Sequence, residues 1–345
     1  MGLEEKHPRA AAQRMGVACL GIIVADVVAR PVDTIPNRGK LGLVESMELH
    51  TGGCAVNTGS ALARLGIRAA VLGKVGDDGF GSFIVDALRQ RNIDTRGIAK
   101  DPRTHTSSTM VMVDSSGERT FIHYVGANAR VTPGDVNWDV VANARLLHVG
   151  GFFLMPGFDG EGTKTVLRQA KELGITTSLD TAWDANGKWM PLLEPCLEYV
   201  DIFLPSYDEA VMLTGARDPE AIADAFLDRG VRVVGLKMGE RGCFIKTRAP
   251  GGAADESPGE VPGGAVGLWH IPPFAVTAVD ATGAGDAFVA GFLTGFIHGW
   301  EWEKVGRFAN AVGASCVTAI GASAGIKSFS ETLAMMENQN QTVAK

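Results

Sequence analysis

Cysteine is scarce in this sequence, and the cysteines that occur follow no pairing pattern. The 345 residues include five cysteines, and no two of them form a C-x-x-C pair. The chain therefore lacks the spacing typical of structural zinc sites and of disulfide-linked secreted domains. The first residues are charged rather than apolar, and no uncharged apolar run approaches the roughly 20 residues of a membrane span. We expect a soluble cytoplasmic protein with free thiols and no membrane partner.

Positive charge is also in short supply. The chain has 32 Lys and Arg against 39 Asp and Glu, which gives a net charge of −7. A general nucleic-acid-binding protein needs a basic surface, so this class is excluded. A local phosphate site stays possible, because free N–H groups at a helix N-terminus bind anions without any net positive charge. The 46% hydrophobic content is typical of a globular protein.

Short apolar runs alternate with amphipathic helical patterns along most of the chain. A helical pattern, a glycine and a strand-like run follow one another in three places: 55–72, 163–179 and 219–236. This alternation predicts an α/β fold with a mostly parallel central sheet flanked by helices. Two long helices are expected near the end, at 284–298 and 302–316. We expect a single domain that spans residues 15–330.

Several segments interrupt this alternation. Residues 44–49 and 107–123 have the pattern of antiparallel strands, and the second contains a hairpin turn at 114–117. We expect them to form a small sheet over one edge of the main sheet. Residues 249–267 are rich in glycine and proline and are expected to be a flexible insertion. The two chain ends, 1–14 and 336–345, are expected to be flexible tails.

The segment 278–291, AVDATGAGDAFVAG, contains the strongest candidate for an anion site. Gly283, Ala284 and Gly285 stand where a helix is expected to begin, and a helix N-terminus attracts anions. Asp286 follows in the first turn, where a carboxylate would repel a bound anion. An acid at this position fits a general base that accepts a proton from an attacking hydroxyl. A helix start with small residues for packing is an equally good interpretation of the spacing alone. The chain has neither a P-loop nor a G-x-G-x-x-G segment after a strand.

A second glycine-rich segment, HTGGCAVN at 50–57, precedes the first expected helix. Gly53 would let a ligand approach the backbone, and Asn57 offers a donor and an acceptor to a hydroxyl. Asp26, just after the first strand, has the position of a turn residue or of a ligand for two sugar hydroxyls. Taken alone, an ordinary glycine-rich turn into a helix is the more common explanation of this segment, and a turn residue is the more common explanation of Asp26.

Two further segments have both a structural and a functional interpretation. Ser206 and Glu209 form the S-x-x-E pattern of a capping box, which is a sufficient explanation of both residues. The alternative is that Glu209 lies near a Mg²⁺ ion and binds it through water. The segment 236–242, LKMGERG, follows a strand and predicts a tight turn, which is consistent with a nucleotide site.

These segments resemble the ribokinase-like (pfkB) family of carbohydrate kinases. The resemblance covers about residues 15–329 and includes two signatures, GGCAVNTGSALARLGIRAAVLGKVG at 52–76 and DATGAGDAFVAGFL at 280–293. It implies a ribokinase-like fold with a small β-sheet lid from about 25–50 and 103–128. It also implies an ATP-dependent kinase that phosphorylates a hydroxyl of a small sugar or sugar acid.

The resemblance implies roles for single residues. For catalysis, it implies Asp286 as the base and Gly283, Ala284 and Gly285 as the anion hole. For the sugar, it implies Asp26, Gly53 and Asn57. For the nucleotide, it implies Ser206, Lys237, Gly239, Gly242 and Asn310. For metals, it implies Glu209 for Mg²⁺ and Asp280 and Thr282, with the loop near 319–325, for a monovalent cation such as K⁺.

The sequence departs from the family pattern mainly in the segments expected to bind the sugar. Ser206 replaces the asparagine of N-x-x-E, Cys54 stands at a lysine position, and 149–153 has no acidic residue to contact a sugar. A nucleoside kinase of the same fold is therefore an alternative, with an apolar base pocket lined by Phe121, Phe152 and Phe153. Exposed strands of the lid are able to pair in a homodimer.

Overall fold

The computed structural model describes residues 15–248 and 266–343, which contain two β-sheets and ten α-helices. The first tail, residues 1–14, and most of the expected insertion 249–267 lie outside the described residues. The strands are β1 (Met15–Gly21), β2 (Val24–Arg30), β3 (Ser46–Gly52), β4 (Ala69–Gly76), β5 (Asp94–Asp101), β6 (Ser108–Val113), β7 (Arg119–Tyr124), β8 (Ala144–Phe152), β9 (Thr176–Thr181), β10 (Ile202–Phe203), β11 (Val233–Lys237), β12 (Cys243–Thr247) and β13 (Leu268–Ile271). The helices are α1 (Cys54–Arg64), α2 (Gly79–Gln90), α3 (Trp138–Ala142), α4 (Glu161–Glu172), α5 (Trp189–Leu197), α6 (Tyr207–Thr214), α7 (Pro219–Leu227), α8 (Ala284–Ile297), α9 (Trp302–Cys316) and α10 (Phe329–Val343).

The larger sheet has nine strands in the order β13-β12-β11-β10-β9-β8-β1-β4-β5. The seven strands from β11 to β5 are parallel, and β12 and β13 continue the sheet in antiparallel pairing. All eight residues of β4 are buried, as expected for a parallel strand that is covered by apolar side chains on both faces. Two apolar clusters form the core, and the first is rich in residues of α1, α8 and α9. The predicted mostly parallel α/β sheet is confirmed.

The smaller sheet has the order β3-β2-β6-β7 and corresponds to the expected lid. Strand β2 pairs antiparallel to β3 and parallel to β6, and β6 forms a hairpin with β7. In this register Asp26 lies beside His50 and Thr109, and Thr109 lies opposite His123. Because side chains alternate along a strand, these four residues share one face of the lid, and Arg119 belongs to the same face.

The helix α10 corrects the expectation of a loose tail from residue 336. Residues 336–343 belong to this helix, and Met336 is 7% exposed. The ring of Phe329 packs 5.5 Å from Phe308 and 5.1 Å from His298, which attaches the start of the helix to the core. The polar sequence at the end of the chain hides this attachment from a pattern-based prediction. Within the described part of the chain, no helix combines the length and the apolar character that a membrane span requires.

Candidate active site

The carboxylate of Asp286 lies in the first turn of α8, next to the amide of Asn57. Asn57 Nδ2 donates a hydrogen bond to Asp286 Oδ2 at 2.8 Å, which joins two sequence segments that are 229 residues apart. Burial raises the pKa of Asp286 to about 6, although Asn57, Lys237 and the Cys54 thiol favour the ionised form. At pH 7 the carboxylate is therefore mainly ionised, by roughly ten to one. A buried carboxylate in this state is suited to accept a proton.

The helix start ahead of Asp286 has the geometry of an anion site. Gly283 is the N-cap of α8 and has a φ of 74°, a left-handed conformation that favours glycine. A Cβ atom at this position would lie 2.6 Å from the Cβ of Ala322. Ala284 N donates to the Ala281 carbonyl at 3.2 Å. The free N–H groups of this helix start are therefore those of its two glycines, where the helix dipole also favours negative charge. The structure places all three predicted residues at this helix start.

A buried ion pair lies beside the helix start. Lys237 Nζ is 2.5 Å from Asp180 Oδ1, and the two side chains are 13% and 5% exposed. Burial alone would lower the pKa of Lys237, but the charges of Asp180 and Glu209 outweigh this effect and raise it. Lys237 is therefore positively charged at neutral pH, while burial raises the pKa of its partner Asp180 to about 7 despite the nearby lysine. Asp180 was missed in the sequence, although it occurs near the carboxyl end of β9, where ligand-binding residues of parallel sheets cluster.

The ion pair and the helix start line one cavity of about 500 Å³. The cavity contains seven of the residues that the sequence predicted, namely Ser206, Glu209, Lys237, Gly239, Gly283, Gly285 and Asp286. It also contains Arg241, which the sequence analysis did not select. The Arg241 guanidinium lies 4.2 Å from the centre of the Tyr207 ring. Two cationic side chains and a helix N-terminus thus face a space that is large enough for a polyphosphate.

Two predicted nucleotide residues do not line this cavity but fix the end of a nearby strand. Asn310 Nδ2 donates to the carbonyls of Ile271 and Pro272, at 3.2 and 2.9 Å. Gly242 has a φ of 82°, and a Cβ atom there would collide with the Ile271 carbonyl. Asn310 thus ties the chain at the end of β13 to α9, and Gly242 lets the loop that follows β11 approach the same carbonyl closely.

Glu209 has the hydrogen bonds of the predicted capping box and a further one. Its Oε2 accepts from Ser206 N at 3.0 Å and from Thr181 Oγ1 at 2.9 Å. These bonds leave Oε1 available for a metal-bound water. Between residues 15 and 248 and between 266 and 343, no group of three or more acidic, His or Cys side chains could hold a metal ion. A Mg²⁺ ion here would therefore depend on phosphate oxygens and water for most of its ligands.

The lid presents a polar cluster around Asp26, one of the predicted sugar ligands. Burial raises the pKa of Asp26, and the Thr109 hydroxyl together with His123 and His50 opposes this increase. Thr109 Oγ1 lies 3.0 Å from His123 Nδ1. Gly52 permits the close approach of Asp26, because a Cβ atom there would overlap its carboxylate. The cluster offers donors and acceptors of the kind that bind sugar hydroxyls.

Gly53 and Asn57, the other two predicted sugar ligands, lie at the start of α1. Gly53 is the N-cap of this helix, with a φ of 93°, and a Cβ atom there would collide with the Ile22 carbonyl. Helix α1 packs against α8, which explains how Asn57 reaches Asp286. The lid strand β3 leads directly into α1, so the Asp26 cluster and the Asp286 carboxylate are linked by a short segment.

The residues predicted for a monovalent cation bind an arginine of the lid. Arg119 donates to Asp280 Oδ2 and to Thr282 Oγ1, each at 2.5 Å. Asp280 also accepts from the backbone of Gly321, which lies in the predicted loop 319–325. Burial by itself would raise the pKa of Asp280, but the bond from Arg119 leads the effects that lower it to about 2.

The three phenylalanines that were considered for the base pocket of a nucleoside kinase are not all exposed. Phe152 is fully buried, and Phe153 is 6% exposed with its ring against Trp189 at 5.6 Å. Phe121 alone of the three is exposed, at 58%, on the same lid face as Asp26. Phe152 and Phe153 pack into the core, so of these three side chains only Phe121 is exposed enough to contact a base.

Comparisons with known proteins relate the chain to carbohydrate kinases. The profile of the pfkB family carbohydrate kinases matches residues 15–328. Fructokinase-2 of Oryza sativa subsp. japonica is 29% identical over 309 residues, which cover 84% of this chain and 87% of the rice protein. The ribokinase of Arabidopsis thaliana, solved with ribose and ATP, has a TM-score of 0.77 at 24% identity and covers 94% and 99% of the two chains.

A second solved structure, of an E. coli protein proposed to be ribokinase II, contains ATP and Mg²⁺. It superimposes with a TM-score of 0.76 at 24% identity, over 94% of this chain and 99% of that protein. The match of the family profile to nearly the whole described chain decides the classification. The chain belongs to the pfkB family of carbohydrate kinases and is a kinase of that family.

Proposed function

We propose that the protein transfers the γ-phosphoryl group of ATP to a hydroxyl of a small sugar or sugar acid, with Asp286 as the general base. The observation that carries this proposal is the contact of Asn57 Nδ2 with Asp286 Oδ2 at 2.8 Å. This contact connects α1, which follows the lid strand β3, with the start of α8, which is suited to bind a phosphate. An acceptor hydroxyl placed between them would meet a base on one side and an electrophile on the other.

In this proposal the ATP phosphates bind in the 500 Å³ cavity. Lys237 and Arg241 supply positive charge, and the turn at Gly239 lets the nucleotide approach the backbone. The relatives solved with ATP and with ATP and Mg²⁺ support the choice of nucleotide. Mg²⁺ would neutralise charge on the phosphates, with Glu209 holding one of its waters.

The acceptor binds under the lid, with one hydroxyl directed at Asp286. Asp26 and the neighbouring histidines bind hydroxyls that do not react, and Asn57 orients both the acceptor and the base. As the bond from the acceptor oxygen to phosphorus forms and the bond to the β-phosphate oxygen breaks, Asp286 takes the hydroxyl proton. The N–H groups at the start of α8, those of Gly283 and Gly285 above all, stabilise charge on the transferring group. ADP and a phosphorylated sugar are the products.

The monovalent cation that the family resemblance implied is not part of this proposal. Asp280 and Thr282, its expected ligands, both accept hydrogen bonds from Arg119. A sugar or sugar acid is proposed ahead of a nucleoside acceptor, because Phe152 and Phe153, two of the three aromatic side chains considered for a base pocket, are buried.

We propose further that the protein forms a homodimer through the outer face of the lid. Met47, Met110 and Ile122 are 67%, 49% and 60% exposed, and the strand register places them on the face opposite Asp26. An exposed apolar face of this kind is typical of an association surface. Sedimentation as a monomer at micromolar concentration would refute the dimer without affecting the proposed chemistry.

The proposed function is tested by ADP release in the presence of ATP, Mg²⁺ and a panel of acceptors. The panel contains ketohexoses, aldopentoses, sugar acids and nucleosides. We expect turnover with at least one sugar or sugar acid and little ADP release without an acceptor, because a closed lid excludes water. Turnover with nucleosides alone would overturn the proposed acceptor class. ATP hydrolysis at a rate that no acceptor changes would overturn the proposed phosphoryl transfer.

Glu209→Gln separates the metal role of this residue from its role in the capping box. Glutamine keeps an acceptor for the backbone of Ser206 but removes the negative charge. We therefore expect stability to change by less than about 1 kcal/mol, while the Mg²⁺ concentration needed for half-maximal rate rises several-fold. The measurement is the Mg²⁺ dependence of the rate at fixed ATP. A normal Mg²⁺ dependence would show that Glu209 acts only as a cap.

A further inference from the structure

One ion pair joins the lid to the loop in front of the anion site. Arg119 is the first residue of β7, and its guanidinium donates to Asp280 Oδ2 and to Thr282 Oγ1, each at 2.5 Å. The partners are more than 160 residues apart in sequence. The side chains of Arg119 and Asp280 are 21% and 3% exposed. The contact is therefore largely shielded from water, where a charge-assisted hydrogen bond is strongest.

Both oxygens of the Asp280 carboxylate accept hydrogen bonds in this arrangement. Its Oδ1 accepts from Thr282 N at 2.9 Å, and its Oδ2 accepts from Gly321 N at 2.7 Å as well as from Arg119. A K⁺ ion bound to Oδ2 would lie beside a guanidinium that is bound to the same oxygen. Repulsion between two cations at such a distance is large in a buried site. The residues present therefore do not fit a monovalent cation while Arg119 holds this position.

We propose that Arg119 takes the place of a monovalent cation and couples closure of the lid to the shape of the anion site. This inference rests on the proposed function, since it assigns a role at the same site. Thr282 directly precedes Gly283, the N-cap of α8. A guanidinium that binds Asp280 and Thr282 together fixes the turn that presents the free N–H groups to the phosphate. Arg119 is thus a positioning residue, and withdrawal of the lid would release the turn.

Another arginine of the lid, Arg30, provides a control for this contact. Arg30 is bound within the lid itself, to Glu48 at 2.8 Å, and the two side chains are 37% and 44% exposed. Arg30 also donates to Ser46 Oγ at 3.2 Å, which is a residue of the lid as well, and an exposed pair of this kind contributes little to stability. Arg30→Gln is therefore a matched control, because it removes a lid ion pair without touching the anion site.

The first test compares thermal unfolding in K⁺, Na⁺ and tetramethylammonium chloride at equal ionic strength. We expect equal melting temperatures in the three salts for the wild type and for Arg30→Gln. In Arg119→Gln the free Asp280 carboxylate should bind an alkali ion, so that K⁺ raises the melting temperature above its value in tetramethylammonium. This measurement needs no turnover, and its result stands even if the proposed kinase activity fails.

The second test measures kcat in the same salts with the acceptor found in the panel. Wild type and Arg30→Gln should turn over within about twofold across the salts, whereas Arg119→Gln should lose roughly 10- to 100-fold because the phosphate donors are misplaced. Guanidinium ion at a concentration that leaves the wild type folded should restore part of this loss. Arg119→Lys keeps the charge but not the two-pronged geometry, so an intermediate rate is expected.

Three outcomes would overturn the inference. One is stabilisation or several-fold activation of the wild type by K⁺ relative to tetramethylammonium, which would show a functional alkali-ion site. Another is an unchanged kcat in Arg119→Gln. If that variant fails to fold, Arg119→Lys decides: a wild-type rate together with K⁺ activation would contradict the proposed positioning role.

Discussion

Asp286→Asn is expected to lower kcat by roughly 10²- to 10⁴-fold, the usual range for loss of a general base. Asparagine still accepts a hydrogen bond from Asn57, so the shape of the site is kept and only the base is lost. ATP affinity should change little or rise, since a negative charge near the phosphates is removed. The measurement is kcat and ATP affinity on the same preparation.

The stability of this variant distinguishes catalysis from a structural role. Burial raises the pKa of Asp286 to about 6, above its ordinary value, so the ionised carboxylate destabilises the folded state at neutral pH. The destabilisation by the ionised Asp286 is fully present above its folded-state pKa. It decreases as the pH falls below that pKa, and it is gone once the pH is below the pKa of an aspartate in the unfolded chain. Asp286→Asn should therefore be more stable than wild type at pH 7, by on the order of 1–3 kcal/mol. A residue that merely starts a helix would lose stability when replaced.

Asp218→Asn is the matched control for this substitution. Asp218 also begins a helix, where its Oδ2 accepts from Ala221 N at 2.9 Å, and it lies outside the cavity residues. Asparagine is an equally good N-cap, so neither stability nor kcat should change appreciably. A folded Asp286→Asn protein that turns over as fast as this control would refute the assignment of the base.

Gly283→Ala is expected to lower kcat by roughly 10²-fold or more, as for loss of one anion-hole donor. The φ of 74° is unfavourable for alanine, and the added Cβ would lie 2.6 Å from Ala322 Cβ and 2.8 Å from its Cα. The helix start must shift to relieve this contact, and the free N–H groups then no longer point at the phosphate. The measurement is kcat at saturating ATP together with the free energy of unfolding.

Gly215→Ala separates backbone strain from damage to the anion site. Gly215 has a similar φ of 72°, but a Cβ atom there meets nothing within 4 Å. Both variants should lose about 1–2 kcal/mol of stability from the left-handed conformation, and only Gly283→Ala should lose activity. Equal activities in the two variants would mean that the start of α8 does not stabilise the transferring group.

Much of the fold could be predicted because local patterns determine it. The helix α9 has the predicted limits, Trp302–Cys316, and α1 ends at Arg64, just before the Gly66 that was expected to stop it. These elements have regular apolar spacing and clear terminating residues. The chain end was mispredicted because α10 is stabilised by tertiary contacts of Phe329 rather than by its own polar sequence.

The site was predicted only where its residues occur in compact motifs. Asp286 and its glycines are adjacent in sequence, so their role could be proposed from one segment. Asp180 and Arg119 interact with partners that are 57 and 161 residues away. The position of Asp180 near the carboxyl end of β9 is a weak signal, and the segment of Arg119 carries none. A lone acidic residue near the end of a strand, or an arginine after a hairpin turn, acquires a role only when folding brings its partner close.

The pH dependence of kcat/KM for the acceptor tests the central claim most directly, because it reports the ionisation of the base. A pKa of about 6 for Asp286 means that the base is ionised above that pH and protonated below it. We predict a plateau at neutral pH and a fall that approaches tenfold per pH unit below about 6, with the protein still folded and with the fall absent in Asp286→Asn. A rate that stays constant down to pH 4.5, or the same acid limb in the variant, would contradict Asp286 as the base.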